Sequence, residues 1–408
     1  MTASTEPIAA GPAVPTRFNA DPEWAKGSSK GMRGLVGPAP DPTQAELDKI
    51  AHGLTTCDEL GEALAEAIAN GKTNLKEFRH VLANGLDAES PEPLRVFFSH
   101  LQQRPDWVDD DLLAEGARVM RQAGTDMADV LGSALLNGYR SSADTLLLSS
   151  TGGLANGSAR RVGETMKWNV ECVREGGMER AGEGWKLTVH VRLMHALINR
   201  HYRRRDDWDF SVHGMPINQA DQGATLGLNS TYYLVGIRLL GMPLRRRDGD
   251  AVMHLWRYIG WLIGVDNHWL PLDERDGRRK FYHLSLTAPA PDELSKGLAA
   301  AFEKSREKLA YPRFENLHRR YEAAKNRSLF TVLVGRSGMR DDLGLATSWP
   351  WYVLVRIPVN LVKHGLFARL PGGRNFLLKR GQKQLDMALA RHFPGEAIAI
   401  GEHTHAPK

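Results

Sequence analysis

Apolar residues recur at helical spacing along most of this chain. Leu47, Ile50, Leu54 and Cys57 stand three or four residues apart. The same period predicts helices over about 74–84, 91–102, 109–122, 125–149, 158–175, 185–204, 218–240 and 248–264. Asp41-Pro42-Thr43-Gln44 reads as an N-cap, a first-turn proline and a Gln closing a capping box, so order is expected to begin there. Residues 1–40, rich in Pro and Gly and without periodicity, read as a flexible arm. Strand-like alternation is scarce, and Lys280 to Ser285 is its best short candidate. Beyond Pro289 the pattern turns to charged helices, including Ser305 to Lys308 and Glu315 to Arg327. The expected fold is all-α: the arm 1–40, a helical core over 41–285, and a helical C-terminal extension over 286–408 packed on it.

Composition narrows the function classes. The 408 residues are 42% hydrophobic and 25% charged, as in an ordinary globular protein. A formal net charge of +5, with no basic stripe interleaved with aromatics, gives no nucleic-acid signal. Two cysteines, Cys57 and Cys172, exclude a disulfide scaffold or a Cys-rich zinc site, and both read as structural, Cys57 on an apolar core stripe. Met1 to Trp24 carries no signal-peptide pattern and no later stretch is apolar enough to span a bilayer, so a cytoplasmic location is expected. Trp349 to Leu385 mixes apolar residues with Arg356, Lys363, Arg369, Arg374, Lys379 and Arg380. That mixture suits peripheral contact with a membrane surface, although a core helix with snorkelling cations is the commoner origin of such a pattern. HExxH, GK[ST], GxSxG, CxxC and CxxCH are absent, so any haem must be held without thioether links. His403 and His405 read as part of a frayed terminus.

Two neighbouring helices carry the chemical signal. Arg161, Glu164, Thr165 and Trp168 stand at i, i+3, i+4 and i+7 and share a face, which either orders a small polar ligand or forms a solvated stripe. Further on, Leu187, Val191, Met194 and Ile198 form an apolar stripe bordered by His195. A histidine there is usually a core residue, but Ala196 leaves room for a flat group, and Arg192 lies one turn away, able to pair with a propionate or another carboxylate. His190 and His201 are alternative ligands, and Asp144 is a weaker carboxylate candidate ahead of the glycine-bearing loop Thr151 to Gly157. Gly132, Ala134 and Gly138 would let a helix or a flat cofactor approach closely.

The run Arg161-x-x-Glu164-Thr165, followed by Arg192-Leu193-Met194-His195-Ala196, resembles the latex-clearing rubber oxygenases and the wider MpaB-like oxygenases. Pro216-Ile217-Asn218-Gln219-Ala220-Asp221 with Thr225, and Trp256-Arg257-Tyr258-Ile259-Gly260 with Gly264-Val265, agree with the same family in the same order. The resemblance covers about 125–270 well. It implies a globin-like helical core with a non-covalent haem b, the iron held by His195. Arg161 and Thr165 would then border dioxygen on the distal side. It further implies oxidative cleavage of isoprenoid C=C bonds. Two departures stand out: latex-clearing members carry lysine at the place of Glu164 and Arg-His at the place of Asn199-Arg200. Glu164 is therefore a candidate base, proton relay or partner of Arg161. The expected protein is a haem-dependent dioxygenase acting on a hydrophobic, unsaturated isoprenoid- or lipid-like molecule. The alternatives are a haem protein that senses or carries a ligand, and a haem-free helical protein that binds a hydrophobe. The oligomeric state is not legible.

Overall fold

The computed structural model describes residues 14–149, 158–307, 309–311 and 313–393. The described residues form an all-α fold without a strand. The chain opens with α1 (Pro22–Val36), α2 (Gln44–Gly53), α3 (Glu59–Ala69), α4 (Leu75–Asn84) and α5 (Glu92–Gln102). The middle holds α6 (Asp110–Ala123), α7 (Thr125–Gly138), α8 (Ser142–Leu148), α9 (Ser158–Val173) and α10 (Glu183–Tyr202). There follow α11 (Phe210–His213), α12 (Gln219–Gly227), α13 (Tyr233–Leu239), α14 (Arg246–Leu262) and α15 (Glu274–Ser285). The chain finishes with α16 (Glu293–Glu307), α17 (Glu315–Leu333), α18 (Trp351–Asn360) and α19 (Gly373–His392).

Close backbone approach organises the centre. Helix α14 packs against α6, where a Cβ at Gly116 would fall 2.3 Å from the Ala251 carbonyl oxygen. That contact lets the fully buried Trp256 donate its indole N–H to Met120 Sδ at 3.3 Å. Helix α10 rests on α3 and α9, and α19 runs over α6 and α9. At the last contact a Cβ on Gly163 would meet the Phe393 ring at 2.7 Å. The C-terminal helices thus pack directly on the elements around α10.

Several sequence expectations shift. The stretch read as a flexible arm contains α1, capped by Asp21 and seated on α15. Its isolated apolar positions gave no period because few of its residues are buried. The capping box of α2 sits two residues later than expected: Thr43 caps, and its N–H reaches Glu46 Oε2 at 2.8 Å. Asp41 instead accepts from Arg33 and from the Tyr282 hydroxyl. Lys280 to Ser285 is helical, because α15 is capped by Asp273 and wedged between α1 and α12, burying successive residues. The run 125–149 breaks at Tyr139 to Ser141, and 218–240 is interrupted by a π-turn at Leu228–Tyr232. Cys57 is half-buried and accepts from Arg203 Nη2 at 3.2 Å, whereas Cys172 is buried. The loop Thr151 to Gly157 and His403 to His405 lie outside the described residues.

Candidate functional site

A network of side-chain to backbone hydrogen bonds fixes α10 against α12 and α14. Asn199 of α10 exchanges two bonds with the backbone of Ile217: Nδ2 donates to its carbonyl at 2.9 Å, and Oδ1 accepts from its N–H at 2.8 Å. Asn218 caps α12, accepting from the Asp221 N–H at 2.8 Å. Gln219 then bridges to the end of α14, donating to the Gly264 carbonyl at 2.9 Å and accepting from the Asp266 N–H at 2.8 Å. Gly264 has φ +93°, and a Cβ there would fall 2.5 Å from Asp58 Oδ2 and 2.9 Å from Arg192 Nε. A glycine is required at this point because those two groups form a bidentate ion pair, at 2.6 and 2.7 Å, in which Arg192 is only 4% exposed. The carboxylate expected beside Arg192 is therefore Asp58, and Arg192 is not on the wall of the cavity described next.

That cavity, of about 780 Å³, runs between α7, α8, α9, α10, α12 and the C-terminal helices. His195 and Ile198 of α10 line it, with Arg161, Thr165 and Trp168 of α9 and Gln222 of α12. The His195 Nδ1 is buried without a hydrogen-bond partner among the described residues. Burial pushes its imidazole pKa down to about 4, against weaker opposing effects of the Gln222 side chain and the Asp58 carboxylate. The ring is therefore neutral at physiological pH, the state in which a nitrogen lone pair is available. His190 and His201 do not reach the cavity. The first packs beside Phe78, its Nε2 buried and without a partner among the described residues, and the second lies by Arg205.

On α9 the expected face divides. Arg161, Thr165 and Trp168 line the cavity, but Glu164 does not; it accepts from Arg160 Nε at 3.0 Å. At about 100° per residue, Glu164 sits about 60° round the helix from Arg161 and about 100° from Thr165, enough to carry it off the wall. Arg161 Nη1 donates to the Leu148 carbonyl at 3.1 Å, which steadies the guanidinium against α8. Trp168 donates to Thr188 Oγ1 at 2.9 Å and meets Trp256 edge to face.

Among the carboxylates that do line the cavity, with Asp129, Asp221 and Glu322, is Asp144, on α8. Its pKa is pushed up to about 7, first by burial and then by the negative charge of Asp221, with Arg17 opposing. Asp221 is itself clamped, receiving Arg17 Nη2 at 2.6 Å and Asn218 Nδ2 at 2.7 Å. Arg17 also donates to the His213 carbonyl at 2.7 Å, so the segment before α1 is tied across the site.

Other wall residues escaped the sequence reading. Gln222 stands one turn after Asn218, and its carboxamide would have been found by extending that motif one residue. The C-terminal helices supply Arg306, Lys325, Arg391 and His392, for which no local signal exists. Lys325 pairs with Asp129 and Glu322, Arg306 lies over Phe302 and Phe330, and Arg391 lies over Tyr311. His392 has its pKa pushed down to about 4 by burial and by the neighbouring charges of Arg306 and Arg391.

Residues 110–364 match the family model described as ER-bound oxygenase mpaB/B'/Rubber oxygenase, catalytic domain. Over 261 residues the chain is 24% identical to the Rubber oxygenase of Streptomyces sp. (strain K30), a match covering 63% of this chain and 62% of that protein. The matched part thus spans less than two thirds of that relative's length. The fold is similar to a solved structure of the latex clearing protein LCP in the closed state, with a TM-score of 0.65 at 19% identity, covering 85% of this chain and 94% of that one. With more than half of its length inside the family model, the chain belongs to the mpaB and rubber oxygenase family of catalytic domains.

Proposed function

We propose that the cavity holds a non-covalent haem b through His195, and that the protein uses dioxygen to oxidise a hydrophobic unsaturated molecule of isoprenoid or lipid type, cleaving it at a C=C bond. The observation that carries this reading is a neutral, half-buried imidazole, its Nδ1 shielded from solvent, sharing one largely apolar cavity with Arg161 and Thr165. Among the described residues no group of three or more His, Cys, Asp or Glu side chains could hold a bare metal ion. A haem would need one ligand nitrogen from the protein, which His195 can provide. A volume of about 780 Å³ lies in the range of small-molecule and cofactor pockets.

The haem, when bound, would supply the activation of dioxygen. The chain's own residues then have distinct tasks. Arg161 and Thr165 present a guanidinium and a hydroxyl that can donate hydrogen bonds to negative charge developing on oxygen. Asp144 holds a proton on its carboxyl near neutral pH and can pass it to, or take it from, a reacting oxygen or carbon. Apolar wall residues such as Ile198, Ile259 and Leu226 exclude water and accept hydrocarbon. Membership of an oxygenase family supports the oxidative chemistry, and the relative named for rubber points towards an unsaturated hydrocarbon.

The test is the absorption spectrum and pyridine haemochrome of the purified protein beside His195→Ala and His392→Ala. A Soret band lost or displaced in His195→Ala and kept in His392→Ala is expected. An unchanged band in His195→Ala overturns the ligand assignment. Dioxygen uptake with squalene, with carbonyl products identified by mass spectrometry, tests the reaction itself. Tight binding without product assigns the protein to ligand carriage instead.

A further inference from the structure

The segment from residue 349 to 376 leaves an unusual amount of apolar surface uncovered. Trp349 is 65% exposed, Val362 59% and Leu366 64%, and Leu361, Leu370 and Phe376 are more than half or half exposed as well. Soluble proteins scatter such residues singly, and a contiguous run of them marks an interaction surface. The local structure explains the exposure. Pro358 lies inside α18, and the helix passes into a π-turn at Leu361–Leu366 and a short 3-10 turn at Phe367–Arg369. His364, on the inner side of the π-turn, is buried, and its apolar neighbours are turned outwards.

Charge identifies the occupant. Between residues 346 and 393 the sequence has eight lysines and arginines and one acid, Asp386. Arg369, Arg374, Lys379 and Arg380 are exposed and none forms a close ion pair among the described residues, Arg374 alone having a carboxylate, Asp248, in its field. A second copy of this chain would bring the same excess of cations to the contact and repel it. Uncompensated cations around apolar side chains match the phosphates and acyl chains of an anionic bilayer. No helix among the described residues is long and apolar enough to cross a membrane, so the face would lie on the surface. The same face opens into the cavity, because Val355 and Val359 of α18 are exposed and also line it.

We propose that the face built by residues 349–380 docks on anionic lipid bilayers, with Leu361, Val362 and Leu366 among the acyl chains and Arg369, Arg374, Lys379 and Arg380 at the phosphates. A hydrophobe dissolved in the membrane then reaches the cavity past Val355 and Val359 without crossing water. Docking does not depend on which group the cavity holds, so it stands or falls separately from the proposed chemistry.

Flotation of the full-length protein with phosphatidylcholine vesicles, with and without phosphatidylglycerol, tests the proposal. The protein is expected to float with phosphatidylglycerol vesicles, less so at high salt, and weakly with phosphatidylcholine alone. The triple variant Leu361→Asp, Val362→Asp, Leu366→Asp is expected to lose at least about tenfold in partitioning. The variant Arg369→Glu, Arg374→Glu, Lys379→Glu, Arg380→Glu is expected to lose about a hundredfold or more on anionic vesicles and little on neutral ones. Far-UV circular dichroism and the thermal midpoint identify any variant that has not folded, and the other then decides. A wild-type protein that stays out of the vesicle fraction overturns the proposal, as does flotation unchanged in the folded variants. Sedimentation velocity showing a dimer that the triple variant dissociates, without flotation, assigns the face to a second copy and overturns it too.

Discussion

Asp144 and His195 occupy the same cavity with their pKa values moved in opposite senses, and both movements come chiefly from burial. A carboxyl raised to about 7 binds its proton more tightly folded than unfolded. Its stabilising effect is full below the ordinary carboxyl pKa near 4 and is lost as pH rises through about 7. Asp144→Asn is therefore expected to raise the thermal midpoint more at pH 8 than at pH 5, by a margin worth about 1 kcal/mol or more, while lowering turnover about a hundredfold. Unchanged haem content in the same variant separates a proton role from a binding one. His195 carries the opposite sign: the neutral ring persists down to about 4. On the proposed ligation, haem retention, followed at the Soret band, is expected to be flat from pH 8 to about 5.5 and to fall below about 4. Glu164, which faces Arg160, is expected to tolerate Gln with at most about a twofold change in turnover, whereas Thr165→Val, on the wall, lowers it about tenfold or more.

At the scale of elements, much of what the sequence motifs offered turns out to be scaffold. Asn199, Asn218, Gln219 and Gly264 touch backbone and one another, and they hold α10 in place. Helical periodicity was readable where a helix buries one stripe, as α5 does with Leu94, Phe97, Phe98 and Leu101, while α3 went unread. The division of the α9 face was not, because four residues sharing a face can straddle the edge of a cavity whose shape depends on other helices. Asp58 was equally hidden: it lies 134 residues from Arg192, and no local pattern announces their pairing. Asp58→Ala is expected to cost about 3–5 kcal/mol, since it strands a buried guanidinium. Gly264→Ala is expected to destabilise comparably through the same pair, and urea unfolding of both variants measures it. Leu193→Ala, which removes a fully buried side chain from α10, is expected to cost about 2–5 kcal/mol.

At the scale of the whole molecule, the cavity is assembled from distant parts of the chain. Phe302, Lys325, Trp351 and His392 stand on its wall, so helices read from the sequence as an extension packed on a core contribute directly to the site. Charge and composition could locate those helices but not which of their residues turn inwards, because that follows from how α19 crosses α6 and α9. The bond from Arg17 to Asp221 carries this further. A residue near the start of the chain restrains a carboxylate on the wall, from outside the span 110–364 that matches the family model. The boundaries along which such domains are recognised are thus not boundaries along which this one can be excised or recombined. A graft of that span into another scaffold would leave behind the strap that restrains Asp221.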